Sequence, residues 1–327
     1  MIDKLIDRII EMQNPTCVGL DTDFNYLPEE MREDINTFEG AAERITEFNM
    51  NVIDKVCDIV PAVKVQIAYY EMYGYEGLKA FDYTINYAKG KDMIVIADCK
   101  RNDIGSTAGC YSKAYLGSTV VNGEKIQSFP ADMLTVNGYL GTDGIKPFVD
   151  DIKNNDKSIF VLVKTSNPSS GELQNLKLEN GEFVYERMGS LVSEWGRDVI
   201  GRYGYSEIGA VVGATHPEEA ANLRKRFPST FFLIPGYGAQ GGSAEMLKVC
   251  FDKRGLGGIV NSSRGIICAY KNPEYSGMNY SDAARAACID MKEDLINAIG
   301  KLHRLLIFMI QMLQQIFHKI FKLFTNI

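Results

Sequence analysis

Residues 93–107 read MIVIADCKRNDIGST, from Met93 to Thr107. The first part, Met93–Ala97, is a short apolar run rich in branched residues. It is too short for a helix and reads as a strand buried on both faces. Asp98, Lys100 and Asp103 follow it directly. Side chains alternate along a strand, so Ile94, Ile96, Asp98 and Lys100 share one face if the extended backbone persists that far. Met93, Val95, Ala97 and Cys99 share the other. Charges at the end of a buried strand are expensive unless they are paired or put to use.

The same kind of run recurs along the chain. The others are Cys17–Asp21 (CVGLD), Ala62–Gln66 (AVKVQ), Met133–Val136 (MLTV), Ser158–Thr165 (SIFVLVKT), Ile208–Ala214 (IGAVVGA), Thr230–Gly236 (TFFLIPG) and Gly258–Ser262 (GIVNS). Mostly helical patterns separate them. Eight alternations of strand and helix predict a (β/α)8 TIM barrel. An open doubly wound sheet is the alternative, weakened by the lack of a G-x-G-x-x-G after the first strand. Two insertions stand out. Leu176–Glu186 has alternating arms around Asn180-Gly181, which predicts a type I′ hairpin after the fifth strand, placed to belong to a lid. Gly117–Pro130 reads as a long polar loop.

The chain has 327 residues, 46% apolar and 24% charged, as expected of a globular protein. Its formal charge of −7, with no basic cluster in the main body, argues against nucleic acid as a partner. Cys17, Cys57, Cys99, Cys110, Cys250, Cys268 and Cys288 form no C-x-x-C pair, and with three His a zinc site is not expected. The opening MIDKLIDRIIEMQ has acids scattered through it and reads as an amphipathic helix, not a signal peptide. A reducing, cytoplasmic setting is expected. Domain organisation divides into a barrel over 1–298 and an extra helix over 299–327. Residues 301–327 contain Lys301, Arg304, Lys319 and Lys322 and no Asp or Glu, with apolar residues at helical spacing. This segment is too short in apolar run to span a membrane. Packing on the body or on a partner subunit is the plain reading, and a basic helix lying on a membrane surface is the sharper one.

In a barrel, residues at the C-terminal ends of strands project into the mouth where active sites form. Asp98 and Lys100 are placed there, with Asp103 in the loop that opens the next helix. Lys64 interrupts AVKVQ, and Asp21 ends VGLD. Each has a purely structural explanation: an ion pair for Asp98 and Lys100, helix capping for Asp103, a solvated strand end for Lys64, a turn for Asp21. Together they make an alternating charge network, which keeps an ammonium protonated among ionised carboxylates. After the seventh strand comes PGYGAQGG, residues 235–242, whose glycines, Gly238 among them, let backbone N–H groups face an anion. Gln240 adds a side-chain donor. After the eighth strand comes NSSRG, with Arg264 available to a phosphate. These two loops often form the phosphate site of a barrel. After the fifth strand, Ser166 and Asn167 in TSNPSS suit the edge of a heterocycle.

DCKRNDIGST resembles the D-x-K-x-x-D signature of the orotidine 5′-phosphate decarboxylases. VGLD, VKVQ, TSNP, VVGAT, PGYGAQGG and NSSRG follow in that family's order over about residues 15–290, most similar to its longer-chain bacterial group. The resemblance implies a homodimeric (β/α)8 barrel that converts orotidine 5′-monophosphate to UMP and CO2 in pyrimidine biosynthesis, with no metal or organic cofactor. It implies that Lys100 protonates C6, that Asp98 lies against the departing carboxylate, and that Lys64 holds the network and reaches the ribose. Asp103 and Thr107 would enter the neighbouring subunit's site. Asp21 would bind ribose hydroxyls, Ser166 the pyrimidine, and Gln240 and Arg264 the phosphate. The resemblance says nothing about 301–327.

Three rivals follow from the same residues. A metal-dependent sugar-phosphate decarboxylase or aldolase of the same superfamily shares D-x-K-x-x-D but has Glu near the position of Lys64; a cation there argues against a metal. A Schiff-base aldolase needs a neutral Lys100, which flanking carboxylates oppose. A non-catalytic nucleotide-binding barrel would not need the charged set intact.

Overall fold

The computed structural model describes residues 1–238 and 241–302. Gln240 lies outside them, and so does nearly all of the helix expected over 299–327. Every predicted run forms a strand: β1 (Thr16–Leu20), β2 (Ala62–Gln66), β3 (Ile94–Arg101), β4 (Met133–Val136), β5 (Ser158–Lys164), β6 (Ile208–Val212), β7 (Phe232–Pro235) and β8 (Gly258–Ser262). Each pairs in parallel with its sequence neighbours, and β1 closes on β8. The result is the expected (β/α)8 barrel rather than an open sheet.

Strand alternation divides the core in two. Val18, Val63, Val65, Val95 and Ala97 point outward and pack against the surrounding helices. Cys17, Ala62, Ile94, Ile96, Met133 and Phe160 point inward. The lower end of the interior is stoppered by α1 (Ile2–Met12). Its Ile2, Leu5, Ile6, Ile9 and Ile10 recur on one helical face and are all buried there. Each contributes about 1.5–3 kcal/mol by burial. The barrel is thereby solid below and open above. Leu302, also buried, keeps the chain against this floor beyond the helix Tyr280–Ile299.

Arg224, on the helix Pro217–Arg226, ties the lower rim. It is buried and donates to the carbonyls of Cys250 (2.9 Å), Thr230 (2.8 Å) and Gly257 (2.7 Å), just ahead of β7 and β8. Its guanidinium lies 3.8 Å from the Phe232 ring centroid.

The two insertions differ from expectation. At Asn180-Gly181 only Gly181 has positive φ (85°). The Gly181 N–H donates to the Leu178 carbonyl (2.9 Å) and the Leu178 N–H to that of Glu182 (2.8 Å). This is a three-residue turn closed by a left-handed glycine, not a type I′ turn. Its arms pair only at Lys177 and Phe183. The type I′ geometry occurs instead inside the segment read as a polar loop. Thr119–Val121 and Glu124–Ile126 form an antiparallel hairpin, with Asn122 (φ 51°) and Gly123 (φ 90°) both left-handed. Among the described residues no helix is long and apolar enough to cross a membrane.

Candidate active site

The upper end of β3 departs from a plain strand. Its register with β4 runs from Ala97 opposite Leu134 to Arg101 opposite Val136, so 98–100 bulge opposite Thr135. Lys100 has φ 49°, a left-handed conformation that costs a lysine roughly 1–3 kcal/mol. Its N–H donates to Thr135 Oγ1 (3.0 Å), which holds the bulge. Simple alternation therefore places Asp98 and Lys100 together for an incomplete reason. Asp98 is inward by alternation, and Lys100 returns to it through the bulge.

Asp98 is the hub. Its Oδ1 accepts from Lys100 Nζ (2.7 Å) and Thr135 Oγ1 (2.8 Å). Its Oδ2 accepts from Gln66 Nε2 (2.8 Å) and lies 3.0 Å from Lys64 Nζ. Lys64, 3% exposed, also donates to Asp21 Oδ1 (2.8 Å). Asp21 Oδ2 accepts from Ser263 Oγ (2.8 Å). Burial pushes the Asp98 carboxyl up, but Lys64 and Lys100 outweigh it and hold the group well below the usual carboxylate range. Burial pushes the Lys64 ammonium down, and the carboxylates of Asp21 and Asp98 more than reverse that, leaving it well above an ordinary lysine. The network is thus a row of fixed charges, Asp21, Lys64, Asp98 and Lys100. The Lys100 side chain is its solvent-reaching end, 46% exposed.

The network forms one wall of a cavity of about 760 Å3 at the barrel mouth. Leu162, Val211 and Leu233 line it with apolar surface, and Ser166, Asn167 and Gln174 form the side above β5. Gly236, Tyr237 and Arg264 line the edge above β7 and β8. Gly236, Gly238 and Gly241 have φ of 106°, 69° and 91°, positive values that favour glycine. Ser166 and Asn167 are carried by a segment anchored from beneath. Lys164, fully buried, donates to Asn175 Oδ1 (2.9 Å) and Ser170 Oγ (3.3 Å).

Of the predicted residues, Asp21, Lys64, Asp98, Lys100, Ser166, Asn167 and Arg264 line this cavity. Gly238 does not line it but directly follows Tyr237, which does, and Gln240 is outside the described residues. Asp103 and Thr107 do not line it. Asp103 does not cap the following helix, Gly105–Tyr115: that helix has Ile104 at its N-cap and no side-chain cap, and Asp103 Oδ1 accepts from the Ile104 N–H (2.7 Å). Thr107 is exposed on its first turn. Gln66, Thr135, Gln174, Asn261 and Ser263 were not anticipated. Gln66 and Thr135 carried a signal, a polar side chain at an inward position of an apolar strand. Among the described residues no group of three or more His, Cys, Asp or Glu is arranged to hold a metal ion. Between Asp21 and Asp98 stands the ammonium of Lys64.

Comparison with known proteins agrees with this geometry. The sequence profile described as "Orotidine 5′-phosphate decarboxylase / HUMPS family" matches residues 15–280. Orotidine 5′-phosphate decarboxylase of Clostridium acetobutylicum is 43% identical over 295 residues, covering 90% of this chain and 98% of that one. The Clostridium kluyveri protein of the same name is 44% identical over 296 residues, covering 90% and 97%. The solved structure of Leishmania donovani OMP decarboxylase superposes with a TM-score of 0.68 at 28% identity, covering 90% of this chain and 97% of that one. With the family profile spanning most of the barrel and relatives of this identity matched almost end to end, the chain belongs to the orotidine 5′-phosphate decarboxylase / HUMPS family.

Proposed function

We propose that Lys100 supplies the C6 proton in the reaction this chain carries out, the decarboxylation of orotidine 5′-monophosphate to UMP and CO2. The observation that carries this is the Lys100 ammonium aimed over the cavity, 2.7 Å from a buried carboxylate that Lys64 keeps ionised. When the bond from C6 to the carboxylate breaks, its electron pair stays on C6 and CO2 leaves. No cofactor is needed as electron sink if a fixed ammonium faces that carbon. Its proton is then transferred to C6, and the neutral amine, at the exposed end of the network, regains a proton from water. Asp98 aims Lys100 and lies against the departing carboxylate. Lys64 and Asp21 face the ribose, Ser166 and Asn167 the pyrimidine. Arg264, Gln240 and the loop holding Gly238 take the phosphate.

Asp103 and Thr107 belong in this reading to the site of a second copy, in a homodimer with shared sites. Their position on an outward loop and helix turn, away from their own cavity, supports it. Mixing inactive Lys100→Ala and Asp103→Ala protomers should then restore activity; no recovery would refute sharing. Seven unpaired cysteines support a cytoplasmic setting. Domain organisation is read as a barrel over 1–298 followed by a basic segment over 299–327, whose role the site does not require. The function is tested with purified protein and orotidine 5′-monophosphate. Loss of substrate absorbance, unslowed by EDTA, is expected. No turnover would refute the reading, and inhibition by EDTA would favour a metal-dependent reaction.

A further inference from the structure

We infer that Ser263 and Asn261 are positioning residues, a relay that fixes the Asp21 carboxylate for the ribose, and that position 19 is glycine to make room for it. The inference rests on the reading of Asp21 as the ribose ligand.

Asn261 and Ser263 occupy inward positions of β8 and the residue after it, beside β1. Ser263 Oγ donates to Asp21 Oδ2 (2.8 Å), and Asn261 Nδ2 donates to Ser263 Oγ (3.2 Å). A hydroxyl has one proton to give. With the amide feeding its lone pair, that proton is committed to Asp21. Asp21 Oδ1 is meanwhile held by Lys64 from β2 on the opposite side. The carboxylate is therefore gripped from both neighbouring strands, although its own side chain is 21% exposed and burial alone does not lock it.

Gly19 shows that the contact is built into the barrel. A Cβ at that position would lie 1.9 Å from Ser263 Oγ, 2.9 Å from Ser263 Cβ and 3.0 Å from Asn261 Oδ1. Any other residue would displace the relay. Asn261 is 5% exposed and lines the cavity, and among the described residues its Oδ1 has no hydrogen-bond partner. A buried amide with an idle acceptor is a costly choice for a strand that otherwise carries Ile259 and Val260. That cost is explained if the amide serves to orient Ser263.

A relay that only stabilised the barrel would affect every ligand equally. One that orients Asp21 affects only ligands with ribose hydroxyls. The test is calorimetric binding of UMP and of 2′,3′-dideoxy-UMP to wild type, Ser263→Ala and Asn261→Ala. Wild type should prefer UMP. Ser263→Ala should weaken UMP roughly tenfold, the scale of a hydrogen bond to a charged group, while dideoxy-UMP binding stays unchanged. Asn261→Ala should shift the same ratio in the same direction by a smaller factor. Equal weakening of both ligands, or an unchanged ratio in Ser263→Ala, would overturn the relay. A wild type without preference for UMP would instead remove the ribose role of Asp21, and the relay with it.

Discussion

Replacing Lys64 by Met keeps the length of the side chain and removes the ammonium that lies 2.8 Å from Asp21 Oδ1 and 3.0 Å from Asp98 Oδ2. Asp98 retains Lys100, Gln66 and Thr135 as donors, so most of the damage falls on Asp21, left among the described residues with Ser263. Breaking a buried ion pair from one side costs about 3–5 kcal/mol. The remaining partners of Asp98 place this case at the lower end, near 3 kcal/mol. At about 2–4 °C per kcal/mol for a large domain, the melting temperature should fall by roughly 6–12 °C at pH 7. Turnover should fall by at least about a thousandfold, because the fixed charge that aligns both Asp21 and Asp98 is gone. The assays are differential scanning fluorimetry and loss of substrate absorbance. A fall of under about 2 °C with turnover near wild type would refute the claim that Lys64 organises the site.

Three further outcomes follow from the same physics. The folded pKa of Asp98 lies below its unfolded value, so its contribution is present above about pH 4 and lost as pH falls through the folded value; that of Lys64 lies above, so its contribution is complete below about pH 10. The difference in melting temperature between wild type and Lys64→Met should therefore be flat from about pH 5 to 9 and close below pH 4, and a maximum near neutrality would contradict this. Arg224→Met removes the side-chain donor of the buried Cys250 and Thr230 carbonyls, while that of Gly257 keeps the Phe232 N–H. It should cost about 3 kcal/mol or more in urea unfolding with kcat unchanged, since Arg224 lies at the closed end of the barrel. Lys164 is buried with no carboxylate at salt-bridge distance among the described residues; burial holds its ammonium below the ordinary lysine value, with Glu219 opposing only in part. Lys164→Met should melt no lower than wild type at pH 7, and a fall above about 5 °C would show that its bonds to Asn175 and Ser170 outweigh desolvation.

The barrel was legible because each strand is a short branched run set between helical patterns, a signal that survives without tertiary context. Asp98, Lys64 and Asp21 were legible for the converse reason, as charges where such runs should be apolar. The bulge at Lys100 was not, because period-two alternation cannot register an extra residue; only the partner strand, with Thr135 opposite 98–100, defines it. The hairpins show how flanks decide between two Asn-Gly pairs. Thr119-Val120-Val121 is branched and pairs regularly, whereas Leu178-Glu179 closes through the single left-handed Gly181. Ser263 and Asn261 were hidden beside Arg264 in NSSRG. Their significance depends on Gly19, far away in sequence and in contact only once β1 closes on β8. Asp103 and Thr107 were visible as a motif, yet one chain alone does not bring them to its cavity.

The most direct test of the account is turnover of orotidine 5′-monophosphate by Lys100→Ala, measured alongside UMP binding. Asp98 keeps Lys64, Gln66 and Thr135 in this variant, so the cavity should hold its shape. UMP affinity should stay within about threefold of wild type, while turnover falls by at least about a thousandfold, the scale of losing a positioned acid and its charge. Turnover within about tenfold of wild type would show that the C6 proton comes from another group.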